Sequence, residues 1–182
     1  VLVGGTAGFT DLQSSISGGN INTQFRTGIG FNRHTTVYPG DLDDKKVNLT
    51  FNVNHLSDSQ KFKFNLSGSY LQDKNRLYNY DMMSLAVNLP PNAPKLYNDD
   101  GSLNWERVPN NTTAYSFDNP LAVTFTQYQA KTYNLLGNGM IGYEIIKGLE
   151  LKSTFGYNRI TVDELNLNPQ SSFRPDKTYL TR

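Results

Sequence analysis

Few residues in this 182-residue chain are of a type that breaks or makes covalent bonds. Cysteine is absent, which removes thiolate nucleophiles, disulfides and thiolate metal sites together. Histidine occurs twice, at His34 and His55. Neither lies in a Gly-x-Ser-x-Gly elbow or a His-Glu-x-x-His pair, and both fall near the ends of expected strands, where a solvated or interfacial ring is the plain reading. Asn98-Asp99-Asp100-Gly101 gathers carboxylates, but it lacks the alternating ligands and closing Glu of a calcium loop. Asp-Gly instead supplies the backbone angles of a tight turn. Asp43-Asp44-Lys45-Lys46 reads as a solvated loop edge, and Asn110-Asn111-Thr112-Thr113 holds glycosylation sequons to which no role is given. The expectation is a non-enzyme, with no catalytic residue, no metal ligand and no cofactor.

Recognition is a better use of the side chains present. The stretch from Asp73 to Gln127 carries Tyr78, Tyr80, Tyr97, Trp105, Tyr115 and Phe117 among Asn, Asp and Pro. Such rings stack on sugars or pack on a partner protein; they can equally pin the segment to itself or form an aromatic girdle at a bilayer surface. Tyr97, Trp105 and Tyr115 are the candidate ligand or partner contacts. With 17 basic and 16 acidic residues the net charge is only +1, so the concentrated basic face of a nucleic-acid binder is not expected.

The elements that must position these rings are strands. Alternation puts Phe25, Thr27, Ile29 and Phe31 on one face of Gln24–Asn32, with Gln24, Arg26, Gly28, Gly30 and Asn32 on the other. Val47–Leu56 and Lys61–Gln72 repeat the pattern, as do the stretch from Tyr133 to Ile145 and the one opening at Leu149. The only helix expected is two turns over Asp81–Leu89, stopped by Pro90-Pro91. No run approaches the ~18 apolar residues of a spanning helix, and Val1 opens without the basic start of a signal peptide. Aromatics reach 12% although mean hydropathy is −0.53; disorder would deplete them, so the chain is ordered. Strands of about 10 residues with one apolar face and one of Asn, Ser, Thr and Gly suit a transmembrane barrel with a polar lumen. Alternation alone also fits a soluble, carbohydrate-binding β-sandwich or a small eight-stranded outer-membrane barrel with a structural or adhesive role.

Several stretches in order resemble the SusC/RagA family, the TonB-dependent outer-membrane transporters of Bacteroidota. They are Ser15-Ile16-Ser17-Gly18-Gly19-Asn20 with Thr23-Gln24-Phe25; Asn88-Leu89-Pro90-Pro91-Asn92-Ala93-Pro94; and Tyr97-Asn98-Asp99-Asp100-Gly101-Ser102-Leu103-Asn104-Trp105. Asn119-Pro120-Leu121, Gly142-Tyr143-Glu144-Ile145 with Gly148-Leu149, and Phe155-Gly156-Tyr157-Asn158 follow. The resemblance implies a plugged barrel of about 22 strands in the Gram-negative outer membrane. Residues 1–182 would be the N-terminal part of that barrel, with plug and remaining strands outside them. It further implies import of an oligosaccharide or peptide, a SusD-like surface lipoprotein as partner, TonB acting through a region not present, and lipid around the wall.

In this family the plug ends in the periplasm, periplasmic turns are short and outer loops long. Counting Val1–Gly8 as the first strand makes Gly18–Asn22, Leu56–Gln60 and Ile146–Gly148 periplasmic turns. Tyr38–Asp44 and Asp73–Gln127 then become extracellular loops. The count is seven strands, with an eighth starting near Thr178.

Overall fold

A computed structural model describes residues 2–111 and 114–177. The chain is all-β apart from short helical turns. Six antiparallel strands pair in sequence order in one open sheet: β1 Phe9–Gly19, β2 Thr23–Thr35, β3 Asp43–Leu56, β4 Phe62–Asn75, β5 Gln127–Ile146 and β6 Leu149–Leu167. They run from 11 residues in β1 to 20 in β5, well beyond the ~5–6 usual in globular sheets.

The expected strand over Val1–Gly8 does not form in the described residues 2–8. Glycines at 4, 5 and 8 interrupt the alternation, and Leu2 is drawn into a core away from the sheet. The segment instead lies along the far end of β2, with the Gly5 N–H donating to the Val37 carbonyl (3.0 Å) and the Thr35 N–H to the Gly8 carbonyl (2.9 Å). The first strand therefore begins at Phe9, and the described residues form six strands rather than seven. The start expected near Thr178 lies outside the described residues.

The register aligns the alternation of every strand. One row across the sheet reads Ile16, Thr27, Phe51, Gly68, Gly137, Tyr157; the next, on the opposite face, reads Ser15, Gly28, Thr50, Ser69, Leu136, Asn158. Gly68 makes room for the Phe51 ring, since a Cβ there would stand 2.6 Å from its Cε1. On the polar face, amides satisfy one another: Asn54 Nδ2 donates to Asn52 Oδ1 at 2.7 Å, and Asn65 Nδ2 donates to Asn54 Oδ1. Among the described residues no second layer covers the apolar face. Phe51 is 44% exposed and Phe155 61%. The buried apolar residues lie elsewhere: Met82, Leu103 and Leu121 in the connection between β4 and β5, and Leu2 in the segment before β1.

Turn chemistry puts all short connections at one end. Asn20 Oδ1 accepts from the N–H groups of Asn22 (2.9 Å) and Thr23 (2.7 Å), closing β1 onto β2. Gln60 (φ 59°) and Gly148 (φ 86°) take the left-handed angles of the other two turns. Residues 36–42 and 76–126 make the long connections at the other end. The short-turn end is stepped. Gly19, Gln24, Asn54, Asn65, Met140 and Thr154 share a row. The β1–β2 turn begins at that row, β3 continues past it to Leu56, and β5 continues past it to Ile146. The apolar stretch shifts likewise, from Phe25–Phe31 on β2 to Leu149–Tyr157 on β6. Such a progressive stagger is what tilted strands produce.

Two glycines separate steric from conformational demand. Gly148→Ala meets open space and should cost about 1–2 kcal/mol for its left-handed backbone alone. Gly19→Ala (φ 143°) places a Cβ 2.1 Å from the Thr23 carbonyl oxygen, so the backbone must move. Denaturant midpoints should fall further for Gly19→Ala than for Gly148→Ala.

Candidate functional site

The connection over residues 76–126 folds into a cap rather than an open loop. Asp81 starts α1 (Met82–Val87) by accepting from the Ser84 N–H at 3.1 Å, and the helix stops at Asn88, ahead of Pro90, as the proline pair dictates. Met82 is completely buried and heads a small core with Leu103, Leu121 and Leu2. Next comes the Asp-Gly turn. Tyr97 bridges Leu103, the Gly101 N–H donates to the Asn98 carbonyl at 3.0 Å, and Gly101 sits at φ 83°. Asp100 Oδ1 accepts from the Ser102 hydroxyl (2.6 Å) and N–H (2.9 Å), and these bonds hold its carboxyl below the usual carboxylate range. The acidic residues thus serve a turn, as expected. Among the described residues no group of three His, Asp or Glu is placed to hold a metal ion.

Asn119-Pro120-Leu121 is the keystone of the cap. Asn119 Oδ1 accepts from the Leu121 N–H (3.0 Å) and caps a 3₁₀ turn, Pro120–Phe125, whose first position suits proline because its N–H would go unpaired there. Its Nδ2 donates to the carbonyls of Leu96 (2.6 Å) and Asn104 (3.0 Å). One buried amide therefore ties three stretches of the connection together.

The three candidate aromatics occupy three environments. Tyr97 is 47% exposed and lines a hollow of about 400 Å³ with Leu2, Pro39, Tyr78, Leu96 and Leu121. Trp105 packs against the cap's core and pins the connection to itself. Tyr115 bridges Arg107, whose Nη2 donates to its hydroxyl at 3.2 Å, and two guanidiniums, those of Arg107 (4.9 Å) and Arg174 (5.3 Å), lie over its ring. Tyr97 thus borders a hollow, while Trp105 and Tyr115 are engaged by the cap itself. Beside it Tyr78 donates its hydroxyl to the Pro39 carbonyl at 2.9 Å, and burial pushes its phenol up from the ordinary value. A second hollow of about 440 Å³ adjoins at Gly40, Tyr78 and Thr124 and is lined by Asp41 and Arg76.

Asp43-Asp44-Lys45-Lys46 departs from expectation. These residues open β3 rather than edging a solvated loop. Asp43 is 1% exposed and is held by Arg33 Nε (3.2 Å), Lys45 Nζ (2.6 Å) and Arg76 Nη2 (2.7 Å). Strand alternation was the available signal: it puts Asp43 with Lys45 on one face and Asp44 with Lys46 on the other. Lys46 Nζ reaches Asp44 at 3.0 Å and Asp73 at 3.6 Å. The histidines are structural. His55 Nδ1 shares a hydrogen bond with the Thr23 hydroxyl (2.7 Å), and His34 stands edge-on to Phe9 with ring centres 4.6 Å apart.

Arg26, in β2, lies on the polar sheet face. It lines a depression of about 310 Å³ with Gln13, Ser15, Gly28, Gly30, Asn48 and Thr50. Comparison with protein-family models finds no match, and a search of curated proteins finds none.

Asn119→Ala removes a helix cap and leaves two carbonyls short of a donor. The expected cost is about 2–4 kcal/mol, felt locally. Limited proteolysis should cut residues 76–126 faster while amide exchange in β2–β5 stays slow.

Proposed function

We propose that the chain is a section of the wall of a TonB-dependent outer-membrane transporter of the SusC/RagA kind. Such a transporter imports an oligosaccharide or peptide together with a SusD-like surface lipoprotein. The carrying observation is the apolar face of the sheet, which is continuous over β2–β6 and has no protein packed on it. An apolar surface of that extent calls for an apolar medium or a partner. Lipid fits best, because the strands are long, their ends are stepped as barrel tilt requires, and the opposite face is a field of hydrogen-bonding amides and hydroxyls. No helix among the described residues is long and apolar enough to cross a membrane, so any crossing is made by strands. Both β1 and β6 have an unpaired edge in the described sheet. In lipid those N–H and C=O groups need further strands, which a closed barrel supplies.

In this reading Arg26 and the Asn-rich face line the lumen. The short turns face the periplasm, and the cap over residues 76–126 stands outside, where Tyr97 and its hollow are available to ligand or lipoprotein. Because β1 starts from the cap end, the reading requires one outward crossing ahead of Phe9.

Paired substitutions test the medium. Phe51→Arg puts a charge on the apolar face and should cost about 2–4 kcal/mol at mid-bilayer, cutting membrane assembly sharply. Asn52→Arg, one residue on and facing the lumen, should assemble normally. Wild-type assembly of Phe51→Arg, or a natively soluble protein, would overturn the reading. Sidedness is testable by single cysteines introduced into these cysteine-free 182 residues, read against the unsubstituted protein: Asp99→Cys should react with an impermeant maleimide on intact cells, and Asp58→Cys only after the outer membrane is opened. The reverse pattern would sink the orientation.

A further inference from the structure

The apolar face ends in cations at one rim only. Arg33, Lys45, Lys74 and Lys131 occupy one row across β2, β3, β4 and β5 towards the cap, following Phe31, Val47 and Tyr133 directly and, on β4, following Tyr70 and Gln72. On β6 the corresponding residue is Arg159, opposite Leu135 and therefore nearer the short turns. That displacement follows the shift of the apolar stretch along β6. Each strand from β2 to β6 thus carries one Lys or Arg where its apolar face stops. At the opposite rim the same face ends in Thr23, His55, Phe62, Ile145 and Leu149, none of them Lys or Arg; Lys61 and Lys63 flank Phe62, and Lys147 lies in the β5–β6 turn.

These cations are only partly neutralised. Asp43 takes Arg33 and Lys45. Among the described residues no carboxylate lies within ion-pair distance of Lys74, Lys131 or Arg159, although Asp163 stands opposite Lys131 in the ladder. Lys74 and Lys131 are direct cross-strand partners, a like-charge pairing that is unfavourable unless an anion lies between them. A phosphate group accepts from both ammonium groups at once. The anion must also sit where apolar contact ends, since the long side chains share the apolar face and reach outward from its edge. That is the level of a lipid headgroup rather than of a solute in bulk water.

We propose that this rim is a binding surface for the phosphate groups of an anionic lipid in the leaflet on the cap side. The proposal rests on the barrel reading above.

The test reconstitutes the native full-length protein into bilayers containing either a phosphorylated glucosamine-based glycolipid or its dephosphorylated form. Lipid retained after mild extraction at low salt is counted by native mass spectrometry. Wild type should keep the phosphorylated lipid and release the other. Each cation contributes about fivefold, so Lys74→Ser/Lys131→Ser/Arg159→Ser should lose retention by roughly a hundred-fold, while Lys63→Ser, on the polar face, should match wild type. Should the triple variant fail to insert, Lys131→Ser alone should still lose about fivefold. Equal retention by variant and wild type, or no preference for the phosphorylated lipid, overturns the proposal and leaves the barrel standing. Failure of wild type to insert into either bilayer overturns the barrel and the proposal together.

Discussion

The cross-strand hydrogen-bond ladder runs from Phe9 to Leu167, broken in register only at Glu144–Ile146. Because side chains alternate, that single ladder commits every strand at once: fixing Phe51 opposite Thr27 and Gly68 also fixes which residues join the apolar face and which the polar one. A slip of one residue anywhere would turn an Asn-rich row into the apolar face. The polarity difference between the faces is therefore the constraint that the rest obeys. Gly68 is small because Phe51 lies over it, and Asn52, Asn54 and Asn65 bond one another because they share the other side.

At the cap end the logic is different. There the chain makes a small core of its own, and single buried side chains tie its parts together, Asn119 for the connection and Asp43 for the sheet corner. Burying a carboxylate is unfavourable unless cations surround it, and Asp43 meets that need by drawing Arg33, Lys45 and Arg76 from three successive parts of the chain. The pairing fixes how residues 36–42 and the start of the long connection leave the sheet, and so where the hollow beside Tyr97 and Tyr78 opens.

The strands were legible because periodicity is a local signal. The apolar faces of Gln24–Asn32, Val47–Leu56 and Lys61–Gln72 were readable residue by residue, and so was the proline stop after α1. Strand ends were harder. β5 begins at Gln127 and β6 runs to Leu167, where alternation fades into polar residues held only by the ladder. Val1–Gly8 misled because it looks extended, yet a strand needs a partner and its glycines and Leu2 have better ones elsewhere. In the candidate site, the aromatic content of residues 73–127 was plain, but composition could not separate Trp105, packed on the core, from Tyr97, open to a hollow. Asp43 escapes a linear reading for the same reason: Lys45 is close in sequence, but Arg33 and Arg76 reach it from separate elements.

Leu2 shares its core with Met82, Leu103 and Leu121, while the residues between it and β1 bond Val37 and Thr35. Mechanically, this makes the segment before Phe9 a tether with two anchorages in series. Tension entering along the chain from residue 2 would load the cap's apolar core first, then the few hydrogen bonds along the end of β2, and the long ladder last. The compliant part of the molecule stands between the incoming chain and the stiff sheet, so a pull would be felt as rearrangement around the Tyr97 hollow before any strand moved.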